Sequence, residues 1–207
     1  MEKKSWLMKN LANIVTAFGF FLTLWLVVVI VYDPNRLWLA FLLFLIVGIT
    51  DFIDGKIARK LNIVSDVGKL LDRIRDKILV CSIFPLLFWY HWPQTENFFF
   101  ATTITLALII CIILIEIFLF VAGAIGTIKG WDVTSNKFGK IKMFSEFIVI
   151  AFWFFSLSID KYAKTETFQY LIYLIDLILA IVLYFSIKSL GGYCQRYNIK
   201  DEQKSSR

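Results

Sequence analysis

LWLAFLLFLIVGITDFIDGKIARKLNIVSDVGKLLDRIRDKILVCSIFPLLFWY, residues 37–90, sets two apolar runs, Leu37 to Thr50 and Ile78 to Tyr90, on either side of a basic stretch punctuated by Asp51, Asp54, Asp72 and Asp76. Each run falls short of the roughly 20 residues needed to cross about 30 Å of hydrocarbon. A helix continues through carboxylates when they line a wet cavity, so the aspartates extend these two spans rather than end them. Outward from this stretch, further apolar segments recur at Ile14 to Tyr32, Phe98 to Val121, Met143 to Ile159 and Phe168 to Ile187. A chain of 207 residues that is 59% hydrophobic, with a mean hydropathy of +0.73, carries more apolar surface than one soluble core of its size can bury. The expected fold is an all-α integral membrane protein of six transmembrane helices preceded by a short N-terminal interfacial helix.

Residues 1–13 form the amphipathic interfacial segment, with Trp6, Leu7 and Leu11 set among Lys4, Lys9 and Asn10; a plain basic tail is the alternative. Residues 14–190 form the membrane domain and residues 191–207 a charged cytoplasmic tail. The first span lacks a small-residue cleavage pattern, so it is expected to stay in the mature protein. Asp33-Pro34-Asn35 reads as the turn between the first two spans.

The net charge of +6 does not indicate a nucleic-acid partner, because the basic residues sort by side. Lys3, Lys4 and Lys9, the basic residues from Lys56 to Lys77 and from Lys129 to Lys142, and those from Lys188 to Arg207 share one side. Only Arg36, Lys161 and Lys164 fall on the other. That asymmetry places both termini and the aspartate-bearing segment in the cytoplasm, near anionic lipid headgroups. Cys81, Cys111 and Cys194 are odd in number and widely spaced, which suits apolar packing rather than a disulfide framework or a zinc site. His91 is the only histidine and falls in the predicted outer loop, so the chemistry must run on carboxylates.

Asp51 and Asp54 are three residues apart and Asp72 and Asp76 four apart, so on helices each pair shares one face. Four ionised aspartates at a membrane would cost on the order of 10 kcal/mol uncompensated, at about 2.5 to 3.5 kcal/mol each. Cations must neutralise them. Ligation by oxygen alone favours Mg²⁺ or Mn²⁺ over zinc or copper. Four carboxylates suffice for two divalent ions about 3.5 to 4 Å apart, an arrangement that clamps a diphosphate. Gly55 and Gly68 clear side chains from a close backbone approach, Ala58 keeps the helix face low, and Arg59 suits a phosphate. Against this stands the bland alternative that aspartates in a basic loop between spans are solvated helix ends.

The pattern D-x2-D-G-x2-A-R-x8-G-x3-D-x3-D, complete from Asp51 to Asp76, resembles the signature of the CDP-alcohol phosphotransferases. With residue frequencies near 5%, a chance match of its fixed positions at a given start is on the order of one in 10¹⁰. The resemblance implies a six-helix homodimeric membrane enzyme open to the cytoplasm. It implies that Asp51, Asp54, Asp72 and Asp76 bind two divalent ions and that Asp76 also deprotonates the acceptor hydroxyl. Gly55, Arg59 and Ser65, flanked by Ala58 and Gly68, would hold the CDP moiety of a CDP-linked lipid, with Asn13 to Thr16 closing over it.

Within the family, the chain is similar to phosphatidylglycerophosphate synthases, which join glycerol 3-phosphate to CDP-diacylglycerol. Lys137-Phe-Gly139-Lys140-Ile-Lys142 resembles their G-K-x-K-T element, and Asn10 to Thr16 their P-N-x-x-T region. Lys140 and Lys142 would then meet a phosphorylated acceptor; basic residues flanking a span are the ordinary alternative. Glu116 resembles the glutamate of an Arg-Glu pair. The chain departs from the pattern at Ala12, Gly19, Ile115, Gly123 and Met143, several of them where an arginine is common, while Arg73 and Arg75 are added between Asp72 and Asp76. Arg73 and Arg75 would meet acceptor phosphate from another wall, or else pair with the aspartates or with lipid phosphates. Asp176, inside the last span, has no motif support and is equally open to being protonated or hydrogen-bonded between helices.

The expected function is metal-dependent transfer of a phosphatidyl group from CDP-diacylglycerol to a small alcohol, glycerol 3-phosphate first, with release of CMP in a prokaryotic plasma membrane. Inositol-phosphate, cardiolipin, serine and amino-alcohol types remain open within the family. A non-catalytic bundle and a divalent-cation transporter remain open outside it.

Overall fold

Pro34 separates the first two helices. It lacks an N–H and disfavours helical geometry at Asp33, so α1 (Glu2–Tyr32) stops there and α2 (Leu37–Lys60) begins three residues later. The Asp33 N–H still bonds the Val29 carbonyl at 3.0 Å, and the Arg36 N–H bonds the Asp33 carbonyl at 3.0 Å. The Asp33 carboxylate accepts from Arg36 Nε at 2.7 Å, locking the turn. The remaining helices are α3 (Asp66–Tyr90), α4 (Phe99–Ile128), α5 (Lys137–Ala163) and α6 (Thr167–Ser205). The computed structural model describes the backbone of residues 2–60, 66–90, 99–128, 137–163 and 167–205, and the side chains of residues 14, 16–53, 71–90, 99–127, 137–162 and 170–194.

The described residues form six helices and no strand, in agreement with the all-helical expectation. Among them α4, α5 and α6 each contain a segment long and apolar enough to cross a membrane, and Thr16–Tyr32 and Leu37–Ile53 are shorter apolar helices. The amphipathic N-terminal stretch is the opening of α1, which runs unbroken from Glu2. The aspartates of residues 37–90 do not end their helices: α2 continues past Asp51 and Asp54, and α3 already includes Asp72 and Asp76.

Contacts divide the chain into two units, Met1–Trp92 with Ala151–Glu166, and Pro93–Ile150 with Thr167–Arg207. In the first unit α1 packs against both α2 and α3. Leu22, Leu26 and Ile30 recur every four residues along one buried face of α1, and Ala40, Phe44 and Val47 along α2 and Val80, Phe84 and Leu87 along α3 recur at spacings of four and then three. The Phe44 and Phe154 rings lie 5.8 Å apart. The opposite faces are equally apolar: Phe21 and Trp25 are exposed beside buried Leu22 and Leu26. A helix apolar on every side suits a lipid surround rather than water.

In the second unit α4 packs along α6. Thr105, Ile109 and Ile112 are buried on α4, and Ile172, Ile175, Asp176 and Leu179 on α6. Hydroxyls inside these helices are satisfied by their own backbone: Ser186 Oγ donates to the Val182 carbonyl at 2.8 Å. The Thr105 hydroxyl stands 3.0 Å from the Ala101 carbonyl and 2.5 Å from the Asp176 carboxyl. Asp176 is thus a hydrogen-bonded tie between two helices.

Candidate active site

Asp51 lies one turn beyond the buried stripe of α2, and Asp72 and Asp76 occupy successive turns of one face of α3. The two helices bring one carboxylate oxygen from each of the three within 4.8 Å of the others. All three side chains are partly exposed, Asp76 least so, which leaves the cluster reachable. Asp54 belongs to the same helix as Asp51, but its side chain lies outside the described residues, as do those of Asn13, Gly55, Ala58, Arg59, Ser65 and Gly68. Thr16 is half-buried on α1.

One side chain commands the cluster. Arg75 is 1% exposed, and its Nη2 donates to Asp51 and, at 2.6 Å, to Asp72 Oδ1, with Asp76 Oδ1 at 4.0 Å. Of the two readings open for Arg75, acceptor contact and pairing with the aspartates, the structure displays the pairing. A set of oxygen ligands this close suits a hard divalent ion.

In the second unit, Lys142 Nζ donates to Glu116 and lies 3.8 Å from Glu146 Oε1, with all three side chains buried. Lys140 is exposed. The two lysines lie on different faces, because α5 is already helical from Lys137 and residues two apart on a helix do not share a face. Glu146 was not singled out in the sequence, although it lies four residues after Lys142 and inside a span, where an ionisable group is a candidate by default. Gly123, one of the departures noted above, has open space where a Cβ would lie, so no steric need fixes glycine there.

Aspartates from two consecutive helices of a helical membrane protein thus converge on one oxygen-lined cluster that could hold a hard divalent ion. The chain is a member of the CDP-alcohol phosphatidyltransferase family, whose profile matches residues 9–185; members of this family use a divalent metal ion. It is 54% identical over 56 residues to a CDP-diacylglycerol--glycerol-3-phosphate 3-phosphatidyltransferase of Rickettsia bellii, covering 27% of this chain and 31% of that protein. A Mycoplasma pneumoniae protein of the same name is 31% identical over 158 residues, covering 74% of this chain and 64% of that one. A cardiolipin synthase (CMP-forming) of Streptomyces coelicolor is 38% identical over 50 residues, covering 24% of this chain and 23% of that protein. In each of these relatives the matched part is less than two thirds of its length.

Proposed function

We propose that this protein transfers the phosphatidyl group of CDP-diacylglycerol to glycerol 3-phosphate, forming phosphatidylglycerophosphate and releasing CMP. The observation that carries this reading is the convergence of Asp51, Asp72 and Asp76 within the stretch that the family profile spans. The names of the Rickettsia and Mycoplasma relatives support the choice of acceptor.

In this reading Asp51, Asp54, Asp72 and Asp76 hold two divalent ions, Mg²⁺ or Mn²⁺. When bound, the ions supply the positive charge that offsets the diphosphate and the departing CMP. Gly55 and Gly68 leave room for the CDP moiety, Arg59 and Ser65 hold it, Ala58 keeps the helix face low, and Asn13 and Thr16 border it from α1. An Asp76 carboxylate oxygen takes the acceptor's hydroxyl proton. The acceptor oxygen bonds to the lipid-side phosphorus, and the bond from that phosphorus to the CMP phosphate breaks with its electron pair leaving on CMP. Arg73 and Lys140 are the cations proposed to meet acceptor phosphate. Glu116 and Lys142 support that pocket through their buried pair. The site and both termini face the cytoplasm of a prokaryotic plasma membrane, anionic lipids border it, and two copies form a homodimer.

The test is CMP release by the purified protein from CDP-diacylglycerol with Mg²⁺ or Mn²⁺ and, separately, glycerol 3-phosphate, inositol 1-phosphate, serine and phosphatidylglycerol, with Asp76→Asn as control. Release with glycerol 3-phosphate alone supports the proposal. The similarity to a cardiolipin synthase favours phosphatidylglycerol as the second candidate, and release with that acceptor alone would replace the first. Absence of release with every acceptor, in folded protein, would point to a different CDP-linked donor or to a bundle that has kept its metal site and lost its reaction.

A further inference from the structure

Arg75 is nearly inaccessible, while its neighbours on α3 from Leu71 to Lys77 are all half-buried. A side chain this long reaches that degree of burial only if another helix yields space, and α1 yields it at Gly19. A Cβ built on Gly19 would lie 2.8 Å from Arg75 Nη1 and 3.5 Å from the Thr50 methyl carbon. A Cβ there would oblige the guanidinium to shift. The Thr50 hydroxyl is turned away to the Ile46 carbonyl at 2.7 Å, so the walls of the seat are a backbone and a methyl group. From it, Nη2 reaches an oxygen of each of the three clustered carboxylates, two by hydrogen bonds and Asp76 at 4.0 Å. Arg75 Nη2 therefore stands among the oxygens that a divalent ion would take.

We infer that Arg75 is a built-in counter-cation, seated by Gly19, that competes with the divalent ion for Asp51 and Asp72 and thereby sets the affinity of the site. The inference rests on the proposed metal-binding role of these aspartates. Without a divalent ion, the guanidinium holds α2 and α3 together at a point where three carboxylates would otherwise repel. An ion ligated by the same Oδ1 atoms puts a second positive charge at contact distance from Nη2 and claims the lone pairs that Nη2 uses, so loading requires the guanidinium to withdraw. The ion's apparent affinity is reduced by the free energy of the contacts it displaces.

The experiment is titration of the full-length protein in detergent with Mn²⁺, read by the electron paramagnetic resonance signal of free Mn²⁺, together with thermal unfolding in chelator. Asp72→Asn identifies the sites that belong to the cluster. Arg75→Met is expected to tighten Mn²⁺ binding by on the order of tenfold, the scale of losing charge-assisted hydrogen bonds, and to lower the melting temperature in chelator but not at saturating Mn²⁺. Gly19→Ala keeps every charge and displaces only the end of a flexible side chain; it is expected to tighten binding in the same direction by a smaller factor. Arg73→Met removes a neighbouring charge without emptying the seat, and is expected to shift affinity less than Arg75→Met. Unchanged or weakened Mn²⁺ binding in Arg75→Met overturns the inference, because the arginine would then support the ion or ignore it. Should Arg75→Met fail to fold, Gly19→Ala decides alone, and unchanged binding there overturns it. A wild-type protein with no Mn²⁺ site sensitive to Asp72→Asn overturns the metal reading of the cluster itself, which is a separate failure from binding that Arg75 does not control.

Discussion

Replacing Lys142 with methionine should cost far more stability than replacing Glu116 with glutamine, although the two residues form one ion pair. Lys142 is shared by two buried carboxylates: it donates to Glu116 and lies 3.8 Å from Glu146. Lys142→Met leaves both acids buried without that charge, and stripping one partner from a buried pair costs about 3 to 5 kcal/mol. In Glu116→Gln the amide oxygen still accepts from Lys142, and Glu146 remains to balance its charge, so the loss is about 1.5 to 3 kcal/mol, the scale of one charged hydrogen bond. The double variant Glu116→Gln/Lys142→Met should be less damaged than the sum of the two single changes, because Glu116→Gln removes one of the two carboxylates that Lys142→Met leaves without its charge. The assay is reversible unfolding of the purified protein in mixed micelles, followed by helicity. An inverted order, or a Lys142→Met loss within about 0.5 kcal/mol of wild type as at an ordinary surface position, would refute the claim that Lys142 is the shared counter-charge.

The remaining predictions concern the carboxylates and the helix contacts. Asp76→Asn keeps shape and removes the base, so CMP release should fall by about 10² to 10⁴-fold while helicity is unchanged. Thr105→Val should destabilise the α4–α6 contact by about 1 to 3 kcal/mol, since the Asp176 carboxyl loses its 2.5 Å hydroxyl partner; thermal unfolding measures it.

The helices were readable from the sequence because their causes are local. Long apolar runs, a proline after Asp33 and charged loops place α1 through α6 without knowledge of their neighbours. Asp51, Asp72 and Asp76 were readable for the same reason: spacings of three and four put the pairs on helix faces, and one short connection brings two such faces together. Arg75 was visible as a residue but not as the centre of the cluster, because its seat depends on Gly19, which is distant along the chain and informative only for the side chain it lacks. Lys140 and Lys142 stand alike in the motif, yet the helix that carries them exposes one and buries the other, a difference that spacing in a loop does not reveal. Glu146 carried a signal, an acid four residues from a lysine inside a span, that a search confined to motifs passes over.

The central claim is most directly tested by incubating the purified protein with CDP-diacylglycerol and radiolabelled glycerol 3-phosphate, and counting label in the extracted lipid against CMP formed. The account predicts one label in lipid for each CMP, dependent on a divalent ion and absent in Asp76→Asn. CMP released with no label in lipid, or label transferred equally well in the presence of chelator, would contradict it.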